Sequence, residues 1–594
     1  MNDKSVHTHV GPTSREPKKV SSFERFWQWL INWPINVQEE TEEHELLHFL
    51  PGKVLLHIER PNNPAALTDE SLAEDLRDFL SPKKEPNEQE GDLKLSWRKK
   101  LLPPNPERII TFPAKANRPS VLSIVPLRTM DPKASTKELE TLLTDIAASL
   151  KAGKLTIRGD TTLNSVSPDW LVGSAGHGAP HPPSPGSWPL QARSPSFPER
   201  KTWLIQDKPN QTPQQNTIGL PFNDGSGNGI DIAIIDTAPP EVSRKEAYDR
   251  WNSDPLVADL LKPNGKLTVH TGIYADVELA DYSVVGHRYR MSDHGLFVAG
   301  IIHGIAPDAN LYICKAFTAF GSGSCESIAG AIKQILQMKK EGRPLIVNCS
   351  FTLNLDDYNS DHSAQIKEMR ELFEKMFSQL TDNDDTIVIA AAGNNIDPPA
   401  RPRRPTDYPA AFKNVLGVGA LPKASSLTPS EFNAASYSKL SDVNNAGEGF
   451  IVFGGEPGEG NGVHSIYISE FPVYAEGCLS YLWRKLTGTG LDHWKGPGHL
   501  PPNPRGFGLN RIRYEEPEDP YAWWAGTSFA APHITGIVAN WCSQPADSRG
   551  PVNPVDRRII NVENVKWALQ ERMQSTRTDD GERVIHVIQG PLPT

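Results

Sequence analysis

The sequence predicts an α/β protein with a doubly wound, mostly parallel sheet, preceded by a smaller α+β domain. Three observations carry this. First, five short runs at 231–235, 311–316, 345–349, 386–392 and 415–419 are apolar on both faces. Such runs suit parallel strands covered by helices on either side. Second, helical spacing lies between them. Residues 327–338 set Ile328, Ile332, Ile335 and Leu336 on one face. Residues 364–380 do the same with Ile366, Met369, Leu372, Phe373, Met376 and Phe377. Third, residues 52–168 follow another rhythm, and a Pro-rich stretch at 176–200 separates them from the rest.

Residues 1–50 read as a polar extension. Within it, Phe23, Phe26, Trp27, Leu30 and Ile31 recur at helical spacing until Pro34. That short amphipathic helix is expected to dock on the protein's own surface, with a membrane-surface anchor as the alternative. In 52–168 a strand at 53–58 precedes a helix at 67–80, strands at 108–111 and 120–125, a helix at 135–150 and a strand at 155–158. This order is compatible with the ferredoxin-like split arrangement. The charged stretch 81–99 reads as a loop. The main domain then spans 226–590. Residues 455–520, rich in Gly, Pro and aromatics, read as an insertion within it.

The totals bound the function. A chain of 594 residues is too long for one core, and 53 prolines lie well above the usual ~5%. A net charge of -11 speaks against nucleic acid as a partner. No window approaches the ~18 consecutive apolar residues of a membrane span. The first residues lack the apolar core of a secretion signal, so the expectation is cytoplasmic. Five cysteines, with no C-x-x-C spacing, read as mostly free, buried thiols, and no metal site is expected from them.

Three segments carry chemistry. Asp236 ends the strand Ile234-Ile235-Asp236, at the carboxyl edge where open α/β sheets gather functional groups. His294 opens the apolar helix of Ser292-Asp293-His294-Gly295-Leu296-Phe297-Val298-Ala299-Gly300. Ser528 starts another in Gly526-Thr527-Ser528-Phe529-Ala530-Ala531-Pro532-His533-Ile534-Thr535-Gly536. A helix start favours negative charge developing beside it.

These strings, in the order Asp, His, Ser, resemble the subtilisin-like serine proteases (subtilases). The resemblance covers about 226–590 and implies a serine endopeptidase acting on a protein or peptide substrate. It implies that Ser528 is the nucleophile, His294 the general base and Asp236 the residue orienting that base. Ala391-Ala392-Gly393-Asn394 resembles the oxyanion segment, with Asn394 as donor. Gly321-Ser322-Gly323 resembles the edge strand that pairs with substrate backbone, and Cys349-Ser350-Phe351 the facing strand. Asp407, before Tyr408-Pro409, resembles the floor of the pocket for the residue preceding the cut. An acid there implies a preference for Arg or Lys.

Departures from the family pattern are Ala238 and the Leu296-Phe297 pair. The three residues between Gly300 and Gly304 imply that the common calcium site is absent, leaving other calcium sites open; no other cofactor is expected. Family pro-regions imply intramolecular inhibition by the N-terminal domain, against a separate regulatory domain. Two further readings stay open: a non-catalytic peptide-binding module on the same fold, and an acyl-transfer enzyme with a macrocyclising outcome.

Overall fold

The computed structural model describes residues 49–61, 68–81, 93–113, 120–131, 136–153, 155–174, 190–192, 226–272, 291–319, 321–353, 363–394, 406–422, 434–435, 437–439, 448–455, 462–475, 511–543, 560, 562–570, 574–577 and 584–587. The amphipathic segment at 22–33 lies outside these.

The N-terminal module runs β1 (Phe49–Pro61), α1 (Asp69–Leu80), β2 (Ile110–Thr111), β3 (Ser120–Arg128), α2 (Thr136–Ala152), β4 (Leu155–Arg158) and β5 (Thr161–Ser174). The start of α1 is capped locally: Thr68 accepts from the Ser71 N–H. β1 pairs antiparallel with both β3 and β5, and β2 continues the sheet beyond β3. One strand is missing from the sequence expectation, which ends the module with the strand at 155–158. β5 continues past residue 168 to Ser174, although Asn164, Ser165, Ser167, Pro168 and Asp169 give it the composition of a loop. Its tertiary neighbours explain this, because pairing with β1 satisfies its backbone along most of its length.

A three-residue strand, β6 (Leu190–Ala192), lies inside the stretch expected to be linker. It adds to the edge of a strand at 521–524, so part of that stretch is docked.

The main domain continues with β7 (Asp231–Asp236), α3 (Glu241–Trp251), α4 (Pro255–Leu261), β8 (Leu267–Thr271), α5 (His294–Ile305), β9 (Asn310–Lys315), β10 (Ser322–Ser324) and α6 (Cys325–Met338). Then follow β11 (Leu345–Cys349), β12 (Phe351–Thr352), α7 (Ser363–Thr381), β13 (Thr386–Ala391), β14 (Val415–Leu421) and β15 (Glu448–Phe453). The rest comprises β16 (Val463–Ile466), β17 (Phe471–Ala475), β18 (Arg511–Glu515), β19 (Tyr521–Trp524), α8 (Thr527–Ser543), α9 (Val562–Gln570), β20 (Gln574–Arg577) and β21 (Val584–Val587). The three residues between Gly300 and Gly304 are helical, since α5 runs through them to Ile305. Among the described residues, no helix is long and apolar enough to cross a membrane.

The central sheet has the order β20-β21-β15-β14-β13-β11-β7-β9-β8. All neighbours are parallel except β20, which runs antiparallel to β21. The two-residue period of a strand divides its apolar side chains between two cores. Ile232, Ile234, Ile346, Ile387 and Ile389 join α5 and α8 on one side. Ala233, Ile235, Val347, Cys349, Val388 and Ala390 join α6 and α7 on the other. That second core is continuous with the N-terminal module, through Val54, Leu56, Ile58, Leu72, Leu76 and Ile124.

α5 and α8 pack closely on the first face. A Cβ on Gly536 would lie 2.8 Å from the Ile305 Cβ, so only glycine allows this approach. Gly536→Val is therefore expected to destabilise the protein by ~1–3 kcal/mol. Denaturant unfolding would show it as a lower midpoint with an unchanged slope.

Candidate functional site

The parallel sheet brings its carboxyl ends to one edge, and the site lies there. Asp236 is the last residue of β7 and is buried; one carboxylate oxygen, Oδ1, accepts from the Thr237 N–H at 2.7 Å. His294 is the first residue of α5. Its Nδ1 lies 2.8 Å from Asp236 Oδ1 and 3.0 Å from Oδ2, so Nδ1–H donates to the carboxylate. The imidazole packs edge-on against Trp524, with ring centres 5.3 Å apart, and against Phe529 at 5.2 Å. Bond and packing together fix the tautomer and the ring plane.

Ser528 is the second residue of α8. Its hydroxyl donates to the Ser350 carbonyl at 3.2 Å, while the Ser350 hydroxyl donates to the Ser528 carbonyl at 2.7 Å. This reciprocal pair is extended inward. Asn348 Nδ2 donates to Ser350 Oγ at 2.9 Å, and Thr535 donates to Asn348 Oδ1 at 3.0 Å. The ladder holds the start of α8 to β11 and so fixes where Ser528 stands.

Asn394 follows β13. Its Oδ1 accepts from the Thr527 N–H at 3.1 Å and from the Thr527 hydroxyl at 3.0 Å. The same hydroxyl accepts from the Gly393 N–H at 3.3 Å. With its oxygen held by Thr527, the amide turns its NH2 end toward Gly526, where a Cβ would stand 3.5 Å from Nδ2. Gly393 has φ +104°, and a Cβ there would fall 2.1 Å from Asp407 Oδ2. Only glycine serves at that position.

Asp407, read in sequence as the floor of a pocket favouring Arg or Lys, has an internal cation beside it. Its carboxylate is buried and accepts from Lys439 Nζ at 2.5 Å, with both side chains almost wholly out of solvent. The lysine, 32 positions along the chain, gave no signal in sequence.

Gly321 precedes β10, which contains Ser322 and Gly323, and Ser350 precedes β12. Between these strands stands the end of β5. Ser322 pairs with Gly173, Gly323 with Val172 and Ser324 with Leu171, all antiparallel. On the other side Phe351 pairs with Ser174 and Thr352 with Gly173, also antiparallel. The chain's own strand thus occupies the gap read as the site for substrate backbone.

The module is anchored beside this strand by buried charge. Asp169 Oδ1 accepts from the Glu326 N–H at 3.0 Å, at the start of α6. Arg108 grips Glu326 with two bonds of 2.8 and 2.7 Å, and Lys53 lies 3.7 Å from the same carboxylate. Burial, and then the Asp169 charge, push Glu326 up to about 7. Burial also raises Asp169, against the pull of Lys53.

Sequence reasoning gave no role to Thr527, Lys439 or Asp293. Asp293 precedes His294 and is fully buried; burial pushes its carboxyl above the usual range, against hydrogen bonds from Ser469, Ile468 and Ser292. Four cysteines, Cys314, Cys325, Cys349 and Cys542, are buried thiols. Among the described residues, no group of three or more His, Cys, Asp or Glu is arranged to hold a metal ion.

The chain is 29% identical over 195 residues to the minor extracellular protease Epr of Bacillus subtilis (strain 168), covering 29% of this chain and 27% of that protein. It is 22% identical over 339 residues to a subtilisin of Bacillus sp. (strain TA39), covering 54% of this chain and 59% of that protein. The chain thus spans less than two thirds of the length of either relative. Among solved structures, fervidolysin from Fervidobacterium pennivorans, a keratinolytic enzyme related to subtilisin, matches with a TM-score of 0.40 at 14% identity, over 92% of this chain and 62% of that one. The model of the subtilase family matches residues 227–579, from the turn before β7 through β20, and the chain belongs to that family.

Proposed function

We propose that this chain is a serine endopeptidase whose N-terminal module inhibits it by filling the substrate groove. One observation carries the reading: β5 lies antiparallel between β10 and β12, beside the convergence of Asp236, His294, Ser528 and Asn394. A peptide bound there would add as a strand, its backbone held from both sides.

The chemistry follows from the atoms. Ser528 Oγ attacks the scissile carbonyl, and His294 Nε2 takes its proton and returns it to the leaving amine. Asp236 holds Nδ1–H and stabilises the imidazolium. The Ser528 N–H and the Asn394 NH2 group donate to the tetrahedral oxyanion, the side-chain donor lowering the barrier by ~3–4 kcal/mol. The Ser528 hydroxyl is turned to the Ser350 carbonyl; rotation about its Cα–Cβ bond directs it to the imidazole. The neutralised Asp407–Lys439 pair favours no charged residue before the cut.

The module's succession β1, α1, β2, β3, α2, β4/β5 and its sheet order β5-β1-β3-β2 support reading it as a ferredoxin-like pro-region. Antiparallel pairing advances from Gly173 to Ser174 as the partner moves from Thr352 back to Phe351, toward Ser350. The Ser174 end of β5 thus lies nearest Ser350, whose carbonyl accepts from the Ser528 hydroxyl.

Three outcomes are expected. A fluorophosphonate probe should label Ser528 once the module is displaced or cut, and intact mass should place a self-cut within a few residues after Ser174. Ser528→Ala should abolish both; cutting at the wild-type rate by that variant would refute the assignment. No label on the wild type, with or without the module, would favour the peptide-binding reading.

Next, Lys439→Met leaves Asp407 buried without its cation, costing ~3–5 kcal/mol. The pair Lys439→Met and Asp407→Leu should recover most of that in thermal unfolding.

The third concerns pH. Glu326, raised to about 7 beside Asp169, holds its proton more tightly docked than released. Its contribution to docking is thus complete below the ordinary carboxyl range and is lost as pH rises through about 7. In Ser528→Ala protein, protection of the β5 amides, corrected for intrinsic exchange, should fall across that range. Glu326→Gln should flatten the fall, and an equal fall in that variant would refute the link.

A further inference from the structure

Asp293 stands at the head of α5, where a carboxylate ordinarily caps its own helix, yet it makes no such bond. Its acceptors are used elsewhere. Oδ2 takes the Ile468 N–H at 2.6 Å and the Ser469 N–H at 2.7 Å. Oδ1 takes the Ser469 hydroxyl at 2.6 Å and the Ser292 hydroxyl at 3.3 Å. The two serine hydroxyls are 3.0 Å apart. One wholly buried carboxylate, covalently next to the His294 residue, therefore gathers four donors, three of them from the turn between β16 and β17.

The opposite side of the same helical turn is tied to β7. Thr237, next to Asp236, donates to the Met291 carbonyl at 2.8 Å and accepts from the Gly295 N–H at 3.2 Å. One turn further along α5, Ser465 donates to the Phe297 carbonyl at 2.8 Å. β16 in turn pairs with β19, with Val463 opposite Trp524, the ring that packs on the imidazole. The start of α5 is thus held from two directions, by the strand that carries Asp236 and by the β16–β17 turn.

We infer that Asp293 is a positioning residue, which clamps the start of α5 to the 468–469 turn and so sets the His294 imidazole between Asp236 and Ser528. The inference rests on the serine endopeptidase reading and adds a requirement to it. Part of the region that reads as an insertion in sequence is a working part of the site. The contact calls for acceptors facing two backbone N–H groups and a partner for two hydroxyls. An asparagine satisfies this with its oxygen toward the N–H groups and its NH2 toward the hydroxyl oxygens. An alanine leaves the donors buried with nothing to receive them.

The test compares Asp293→Ala, Asp293→Asn and Ser469→Ala, each made as the full chain and assayed after the chain is cut behind β5 and the module displaced, by titrated active sites and steady-state kinetics on a peptide substrate. Displacing a catalytic group by about 1 Å lowers rate ~100-fold. Asp293→Ala should therefore lose ~100-fold in kcat with KM little changed. Asp293→Asn should stay within ~5-fold of wild type, and Ser469→Ala should fall between them. A folded Asp293→Ala protein with wild-type kcat would overturn the inference, as would a loss confined to KM, or an Asp293→Asn loss equal to that of alanine. Should Asp293→Ala fail to fold, wild-type kcat in Ser469→Ala overturns it equally. A wild-type chain that never labels or turns over would instead fail the endopeptidase reading.

Discussion

A gap one strand wide, between β10 and β12, is the constraint on which the rest of this molecule depends. Both strands offer backbone groups to it, and such groups need partners when water is excluded. In this chain β5 supplies them, pairing with both sides through residues 171–174. Filling the gap from within the chain has a structural consequence. The module that carries β5 must lie against α6, and its core merges with the second core of the central sheet. The groove and the join between the two parts are one feature.

Buried charge makes that join specific. Glu326 meets Asp169, Arg108 and Lys53 where bulk water is absent. Such a cluster adds less net stability than an apolar contact of the same size, because the desolvation of each ion offsets much of the attraction. It does penalise misalignment, since a displaced partner leaves a buried charge unmatched. The helix start gains a cap in the same contact, as Asp169 accepts the Glu326 N–H. The apolar core favours contact over a broad surface, whereas the charges restrict its register.

Within the site, positions are fixed by bonds that take no part in the chemistry. Thr527 orients Asn394, Ser350 and Asn348 hold the start of α8, and Thr237 holds the turn beside His294. Lys439 and Asp407 underlie Gly393 and leave no room for a side chain there. These residues come from distant parts of the chain, and each holds a neighbour of Asp236, His294, Ser528 or Asn394, the groups proposed to react. Preorganisation of this kind lets donors meet developing charge without first rearranging.

The sequence by itself determined the parallel sheet and its helices, because apolar runs and helical spacing are local properties of the chain. It also singled out Asp236, His294, Ser528 and Asn394 as candidates, because the short strings that hold them, in the order Asp, His, Ser, resemble those of the subtilases. Tertiary structure alone decided the rest. β5 has the composition of a loop and becomes a strand only because four strands from two parts of the chain pair with it. Leu190–Ala192 leaves the linker class for the same reason, through pairing with β19. Asp407 reads in sequence as an acid open to substrate, and only the fold sets Lys439, far along the chain, against it. Asp293, adjacent to His294 in sequence, has its partners 175 and 176 positions away. Periodicity reports which face of an element is buried, but not which distant donor will meet a buried acceptor, because that depends on how the elements pack.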